Sequence, residues 1–374
     1  MTWLRDAGAR RWIRAHRLSV VVPVFNLAES LGPCLESILG QPVPDLEVVV
    51  IDDGSTDDSA DVAAQWAAKD PRVVLVRQEN GGVSRARNVG IERCTGDLVT
   101  FVDPDDTLPD DAWRPLLTSL ARTGSDFAVG MMERVDGSGR RVRPPLLHRN
   151  HAERRLRETV SGMPLVLADV FPCNKVFRMD FWRRHDLRFP EGVRYEDQVL
   201  CTDAFLASTS FDVLTETVYE WQVRDDLSSA TQRRGALDNL RDRILTKQMT
   251  IERVLAFGDA EVTRTLYASV LPIDMWEHFR AAVAPGTESP DTYWQLLREG
   301  LLAIWNDATV RFEDTELPAG QRLMGWLVGE DRRSDLVRLL AEIDGPGVPV
   351  EDGRYLHPWY DDPAVPAVLG RTSR

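Results

Sequence analysis

The sequence predicts an α/β protein built on a doubly wound, mostly parallel sheet. Short runs rich in β-branched residues recur from residue 18 onward, and each is followed by a segment with helical spacing of apolar residues. Polar side chains come directly after three of these runs: Asn26, then Asp52 and Asp53, then Asp103, Asp105 and Asp106. Because such sheets bind ligands at the carboxyl ends of their strands, we expect these side chains to mark one binding site.

The first part of the chain contains four predicted strands separated by helices. Near-continuous apolar runs are typical of parallel strands that are buried on both faces. We expect strands at 18–25, 46–51, 72–77 and 98–102, and helices at 27–39, 58–69, 83–94 and 110–121. Asn26 is expected to cap the first of these helices.

The pattern changes after Ser125. A strand is expected at 126–135, and Asp136–Gly139 is typical of a hairpin turn. Further elements are a short strand or loop at 171–177, a helix at 180–185, a helix through 207 that Glu196 and Asp197 begin, and one or two strands at 211–223. Helical periodicity then dominates at 236–257, 259–283, 291–305 and 331–343.

Composition limits the function classes. The chain has 374 residues, 43% of them hydrophobic and 28% charged, as in ordinary globular proteins. Its net charge of −14 argues against broad nucleic-acid binding. Neither a signal peptide nor an apolar run of the roughly 18 residues of a membrane span is apparent. The four cysteines are widely separated, which predicts reduced thiols in a cytoplasmic protein.

Two stretches are locally basic, residues 1–17 and residues 140–157. Either could rest on an anionic membrane surface or an anionic polymer, which would place the protein peripherally at the inner face of the cell membrane. The alternative is that both are solvated surface arginines. The sequence does not decide between the two interpretations.

The acidic clusters suggest specific chemistry. Oxygen ligands at a strand end suit Mg²⁺ or Mn²⁺, which take one or two ligands from protein while phosphate supplies others. The alternative is a polar loop that precedes the helix at 110–121. Asp197 could act as a general base, or Glu196 and Asp197 could simply be favoured by the helix dipole. Neither a Gly-x-Gly-x-x-Gly motif nor a Walker loop follows the first strand, which argues against a dinucleotide fold and a nucleotidyl or phosphoryl transferase.

Four motifs in a fixed order resemble the family 2 glycosyltransferases of the type A fold. They are Val20–Asn26 (VVVPVFN), Val50–Asp57 (VIDDGSTD), Gly81–Gly90 (GGVSRARNVG) and Phe101–Asp106 (FVDPDD). The likeness continues through Asn174–Phe177, Arg188–Gly192 and Tyr195–Gln198, and fades beyond Arg233. The resemblance implies a nucleotide-sugar-binding catalytic domain (18–232). Charge, helical periodicity and proline content predict a basic segment before it (1–17), and a helical domain (233–344) and a proline-rich tail (345–374) after it.

The resemblance also implies donor-site residues. The nucleotide would be contacted by Pro23, Val24, Phe25, Asp53, Arg87, Asn88 and Asp103. In the family pattern Asp53 hydrogen-bonds the base, typically uracil, Arg87 contacts the base or the phosphates, and Asp103 binds on the ribose side. Asp105 would hold the metal, Mn²⁺ or Mg²⁺. Arg224 and Ser228 resemble residues of a loop that closes over the diphosphate.

The implied reaction is an inverting sugar transfer from a nucleotide sugar, typically UDP-linked. Asp197 would be the catalytic base, and Glu196 would orient the acceptor or the donor sugar. Family members with these downstream motifs often act on bacterial surface polymers, so a cell-surface polysaccharide or a teichoic-acid-like polyol phosphate is the expected acceptor. A catalytically inactive scaffold with the same fold is the alternative, and homo-oligomerisation stays open.

Overall fold

The chain divides into two units, Met1–Asp226 (the N-terminal unit) and Leu227–Arg374 (the C-terminal unit). The computed structural model describes residues 7–223, 234–345, 350–351, 354–355, 365–366 and 369. In these ranges no helix is long and apolar enough to cross a bilayer.

A twisted sheet forms the centre of the N-terminal unit. Its strands in the described residues are β1 (Leu18–Val24), β2 (Leu46–Asp52), β3 (Val73–Arg77), β4 (Leu98–Phe101), β5 (Phe127–Val135), β6 (Arg141–Val142), β7 (Arg155–Glu158), β8 (Lys175–Arg178) and β9 (Phe211–Gln222). They lie in the order β3-β2-β1-β4-β8-β5-β9-β7, with β6 paired to β5.

Six of the nine strands in the described part of the sheet run in the same direction, which fits the predicted mostly parallel sheet, and four of its eight strand pairs are parallel. β1 pairs in parallel with β2 and β4, β2 with β3, and β5 with β9. β8 lies antiparallel between β4 and β5, so β5 and β9 point the same way as β1 and β4. The carboxyl ends of these strands therefore share one edge of the sheet, here called the carboxyl edge.

Helices cover both faces of the sheet. They are α1 (Ala7–Arg14), α2 (Ala28–Leu39), α3 (Ser59–Lys69), α4 (Val83–Arg93), α5 (Trp113–Thr123), α6 (Pro145–Asn150), α7 (Met179–Arg184) and α8 (Glu196–Ala207). Leu31, Leu35 and Ile38 of α2 are fully buried in the same core as the valines of β1. Each buried side chain of this size contributes about 1.5–3 kcal/mol.

Two glycines of the sequence motifs have identifiable packing roles. A Cβ on Gly90 would collide with Val21 of β1, so glycine lets α4 lie directly on the sheet. Gly54 has φ +74°, and a Cβ there would meet the backbone nitrogen of Asn80 at 2.9 Å. Glycine at residue 54 thus lets the loop after β2 lie directly against the loop after β3.

The described part of the basic segment, residues 7–17, packs against this core through α1. Trp12 and Ile13 of α1 pack against it, and the Arg178 guanidinium lies 5.0 Å from the Trp12 ring centroid. The apolar side of α1 is therefore buried within the unit, and Arg11 and Arg14 are exposed. In the second basic stretch, Arg141 pairs with Glu220 and Arg143 with Glu133. These pairs favour the surface interpretation for that stretch.

The C-terminal unit is helical, as the periodicity predicted. Its described helices are α9 (Leu237–Phe257), α10 (Ala260–Thr265), α11 (Met275–Ala281), α12 (Pro290–Ile304), α13 (Ala319–Gly329) and α14 (Arg333–Asp344). The single helix expected at 259–283 is wrong, because a π-helical turn at Leu266–Val270 and Pro272 divide it. The short strands β10 (Val350–Glu351) and β11 (Arg354–Tyr355) pair with each other.

Candidate active site

The aspartate turn 103–106 lies at the carboxyl edge, directly after β4. Asp103 donates its backbone N–H to the Tyr219 hydroxyl (3.1 Å), which donates to Asp106 Oδ2 (2.7 Å). The backbone N–H of Gln222 reaches Asp106 Oδ1 at 2.8 Å. Asp106 is buried, and its burial beside Asp103 and Asp105 raises its pKa well above the ordinary value. Asp106 therefore anchors the turn to β9 and leaves Asp103 and Asp105 partly exposed.

The end of β2 carries the second acidic pair. Asp53 is buried, and its carboxylate accepts hydrogen bonds from Gln78 Nε2 (2.6 Å) and from the backbone N–H groups of Gly81 (2.9 Å) and Gly82 (2.8 Å). The carboxylate of Asp53 thus holds the loop between β3 and α4. Its predicted bond to a nucleotide base stays a prediction.

The end of β1 presents an aromatic side chain. Phe25 is 45% exposed, whereas Pro23 and Val24 are buried in the strand. The expectation that Asn26 caps α2 is wrong, because Asn26 has φ +53° and its Oδ1 accepts from the backbone N–H of Thr56 at 2.8 Å. Asn26 therefore connects the loop after β1 to the loop after β2, and the side chain of Phe25 remains exposed to solvent.

Arg87 of α4 joins the aspartate turn to the start of α8. Its Nη1 donates to Glu196 Oε1 (2.9 Å) and to Asp197 Oδ1 (2.7 Å), and its Nη2 donates to Asp103 Oδ1 (2.8 Å). The side chain of Arg87 is only 4% exposed. One guanidinium thus connects the three carboxylates that the resemblance assigns to the donor and to the base.

The neighbouring residue fixes the segment that leads into α8. Asn88 Nδ2 donates to the carbonyl of Phe189 (2.9 Å) and to Glu191 Oε1 (3.0 Å), and Asn88 Oδ1 accepts from the Phe189 N–H (3.0 Å). Tyr195, directly before Glu196, has φ +63°, a conformation that a tyrosine rarely adopts. Such backbone strain persists where the surroundings enforce it, and it is frequent at functional sites.

The carboxyl groups at the start of α8 are unusual acids. Burial raises the pKa of Asp197 to about 8, with Glu196 and Asp103 adding to the rise and Arg87 opposing it. Burial also raises the pKa of Glu196, again opposed by Arg87. Three carboxylates surround one guanidinium, so the cluster has an excess of negative charge and attracts protons or cations.

A second buried charge cluster, formed by His151, Asp169 and Lys175, has a structural role. Lys175 is fully buried, and its Nζ donates to Asp169 Oδ1 (2.7 Å) and to the carbonyls of Asp169 (2.9 Å) and Phe171 (2.7 Å). His151 Nε2 lies 2.8 Å from Asp169 Oδ2. Lys175 is therefore a structural partner of a nearby carboxylate.

Comparison with known protein families identifies the domain that contains the carboxyl edge. Residues 19–185 match the model of glycosyl transferase family 2. The N-terminal unit carries a family 2 glycosyltransferase domain. The predicted family is therefore confirmed, and the matched residues include Asp53, Arg87 and the aspartate turn.

Known relatives carry the same domain in longer proteins. The glycosyltransferase GlyA of Streptococcus pneumoniae is 30% identical over 217 residues, which are 56% of this chain and 31% of GlyA. The poly(ribitol-phosphate) β-N-acetylglucosaminyltransferase TarS of Staphylococcus aureus is 26% identical over 224 residues, 57% of this chain and 37% of TarS. The chain thus spans about a third of the length of these two relatives.

A solved structure has the same architecture. Residues 1–349 of S. aureus TarS, crystallised in complex with UDP-GlcNAc, match with a TM-score of 0.70 at 20% identity. The match covers 91% of this chain and 95% of that one. The likeness confirms the predicted type A fold followed by a helical region.

The family 2 domain offers suitable ligands for a divalent cation. Within the described residues, no three or more histidine, cysteine, aspartate or glutamate side chains form a complete metal site. Partly exposed carboxylate oxygens at the strand end nevertheless fit a hard cation that shares its coordination with phosphate oxygens. Asp105, the predicted ligand, lies in this turn.

Two of the predicted site residues lie outside the described part of the chain, and two residues that form buried hydrogen bonds in the structure were not predicted from the sequence. Arg224 and Ser228 lie outside the described residues. Tyr219 and Asp169 were not singled out from the sequence, since a tyrosine in a strand and an isolated aspartate have many ordinary explanations. A signal for Tyr219 existed only in its position near the end of a strand that borders the site.

Proposed function

We propose that the chain is an inverting glycosyltransferase that moves a sugar from a nucleotide sugar to a hydroxyl group of a cell-surface polymer. The observation that carries the proposal is the guanidinium of Arg87, which bonds both to Asp103 on the predicted donor side and to Asp197, the predicted base. A donor carboxylate and a candidate base therefore lie in one site at the carboxyl edge.

The arrangement suits a single displacement. Asp197 accepts the proton of the acceptor hydroxyl, whose oxygen attacks the anomeric carbon from the side opposite the leaving nucleoside diphosphate. One displacement inverts the anomeric configuration. Bound Mg²⁺ or Mn²⁺ at Asp105 would offset the negative charge of the departing diphosphate. Phe25 is exposed at the end of β1, and we propose that its ring contacts the nucleotide base.

The relatives indicate the substrate classes. TarS is named as a poly(ribitol-phosphate) β-N-acetylglucosaminyltransferase, and its residues 1–349 were crystallised in complex with UDP-GlcNAc. We therefore propose a UDP-sugar as the donor and a polyol-phosphate or polysaccharide chain as the acceptor.

Calorimetric titration of UDP, with and without Mn²⁺, tests the donor site. We expect metal-dependent binding of UDP to the wild-type protein and loss of the metal dependence in Asp105→Ala. Asp180→Ala, at an exposed aspartate on α7, is the matched control and should bind like wild type. Absence of binding by UDP, GDP and CDP under both conditions would refute the donor site and favour the inactive scaffold.

The pH dependence of transfer follows from the raised pKa of Asp197. A base must be deprotonated, so the rate should be low near pH 6, half-maximal near pH 8 and level off above about pH 9. The measurement is the initial rate of UDP release at saturating donor and acceptor, across pH 5.5–9.5 in buffers of constant ionic strength. A rate that is flat between pH 6 and 9 would exclude Asp197 as a base with this pKa.

A further inference from the structure

The family resemblance predicts that Arg87 contacts the nucleotide, but the side chain of Arg87 is almost completely buried. Its side chain is 4% exposed, and the Phe189 ring lies 5.0 Å from the guanidinium carbon. Its two terminal nitrogens already serve three carboxylates. A bound nucleotide would thus meet Asp103 and the surrounding loops before it met Arg87.

The carboxylates that Arg87 holds come from two distant parts of the chain. Asp103 follows β4, and Glu196 and Asp197 begin α8. On the same helix as Arg87, Asn88 fixes the backbone of Phe189 and the side chain of Glu191. Two consecutive residues of α4 thus hold the whole segment 189–197 against the donor side of the site.

We propose that Arg87 is a positioning residue that holds Asp197 in register with the donor-side carboxylate Asp103 and keeps it available as a base. The inference rests on the proposed function. It assigns Arg87 to the link between base and donor site, and not to direct nucleotide binding.

The charges around Asp197 explain why this link affects the base. Arg87 from α4 and Lys175 from β8 are positive, whereas Glu196 and Asp103 are negative. Arg87 makes the direct contact, at 2.7 Å. Removing it would leave Asp197 free to rotate and would make its ionised form less favourable.

Lysine cannot reproduce this link. A guanidinium presents planar, fixed donors that serve carboxylates on two sides, whereas an ammonium is a compact point charge on a flexible stem. Arg87→Lys therefore keeps the positive charge but loses the geometry. Arg243→Lys makes the same change at a buried arginine that pairs with Asp274 within the C-terminal unit, and it is the matched control.

The test compares UDP affinity, transfer at saturating donor, and the pH–rate profile in these variants. For Arg87→Lys we expect UDP affinity within about threefold of wild type, transfer reduced by about tenfold or more at pH 7, and a rising limb displaced by about one pH unit upward. Part of the loss should be recovered at high pH. Arg243→Lys should leave the profile unchanged.

A second variant tests the same link from the other side. Glu196→Gln removes a negative neighbour of Asp197 and keeps its shape, so the rising limb should move to lower pH. This variant keeps the proposal testable if thermal melting shows that Arg87→Lys does not fold. Opposite displacements in the two variants would support the inference.

Two results would overturn it. If Arg87→Lys weakens UDP binding by tenfold or more and transfers normally once donor is saturating, Arg87 is a nucleotide ligand. If neither Arg87→Lys nor Glu196→Gln moves the pH profile, Arg87 does not act through Asp197. A wild-type protein that neither binds nucleotide nor transfers sugar is a different outcome, which refutes the proposed function itself.

Discussion

Replacement of Asp197 by asparagine is expected to lower the transfer rate by about 10²–10⁴-fold, the usual contribution of a general base. The amide has nearly the same shape but cannot take a proton from the acceptor hydroxyl. UDP binding should be retained, since Asp103 and Asp105 are unchanged. Initial rates at saturating donor and acceptor, with calorimetry of UDP, measure the two effects separately.

Stability provides the internal control for Asp197→Asn. Because burial raises the pKa of Asp197 in the folded state, its ionisation opposes folding as pH rises toward 8. The neutral amide removes this cost, and Arg87 keeps Asp103 and Glu196 as partners. The melting temperature of the variant at pH 8 should therefore not fall. Transfer at the wild-type rate would mean that another group accepts the proton.

Replacement of Lys175 by methionine is expected to have the largest effect on stability. The change leaves the Asp169 carboxylate buried with only the hydrogen bonds of His151 and Asn174, and breaking a buried ion pair in this way costs about 3–5 kcal/mol. The free energy of unfolding, from urea titration of the wild type and the variant, measures the loss. Lys69→Met, at an exposed position on α3, should change it by less than about 0.5 kcal/mol.

The pH dependence of this loss has a definite sign. Lys175 and His151 lower the pKa of Asp169 to about 2 against the opposing effect of burial. The ion pair thus contributes fully above about pH 4 and is lost as the pH falls toward 2. The double variant Lys175→Met/Asp169→Asn should recover part of the stability at neutral pH. Equal stability of wild type and Lys175→Met at pH 7 would show that the pair contributes nothing.

The parallel half of the sheet was predictable because its signals are local. β1, β2 and β4 are near-continuous apolar runs, and each ends at the polar residues that the sequence marks. The same logic found Asp53 and the aspartate turn. Predictions from local patterns failed where tertiary contacts decide, as at Asn26, whose side chain binds the neighbouring loop instead of capping its own helix.

The contacts within the site could not be predicted from local pattern. Arg87 and Asp197 are 110 positions apart, and the Tyr219 hydroxyl reaches Asp106 across 113 positions. No periodicity in either segment encodes such a pairing, because it depends on β8 inserting antiparallel between β4 and β5 and on β9 lying beside β5. The family resemblance predicts that Arg87 contacts the nucleotide, and the structure adds its hydrogen bonds to three carboxylates.

The place of β9 in the sheet also determines where the chain can be cut. The family match stops at residue 185, ahead of α8 and β9. A fragment that ended there would keep the buried guanidinium of Arg87 without Glu196 and Asp197, and Asp106 without the Tyr219 hydroxyl. It would also expose the long edge of β5, which invites aggregation. The family match and the part of the chain that can fold by itself therefore end at different residues. Expression of the domain should extend at least through Gln222.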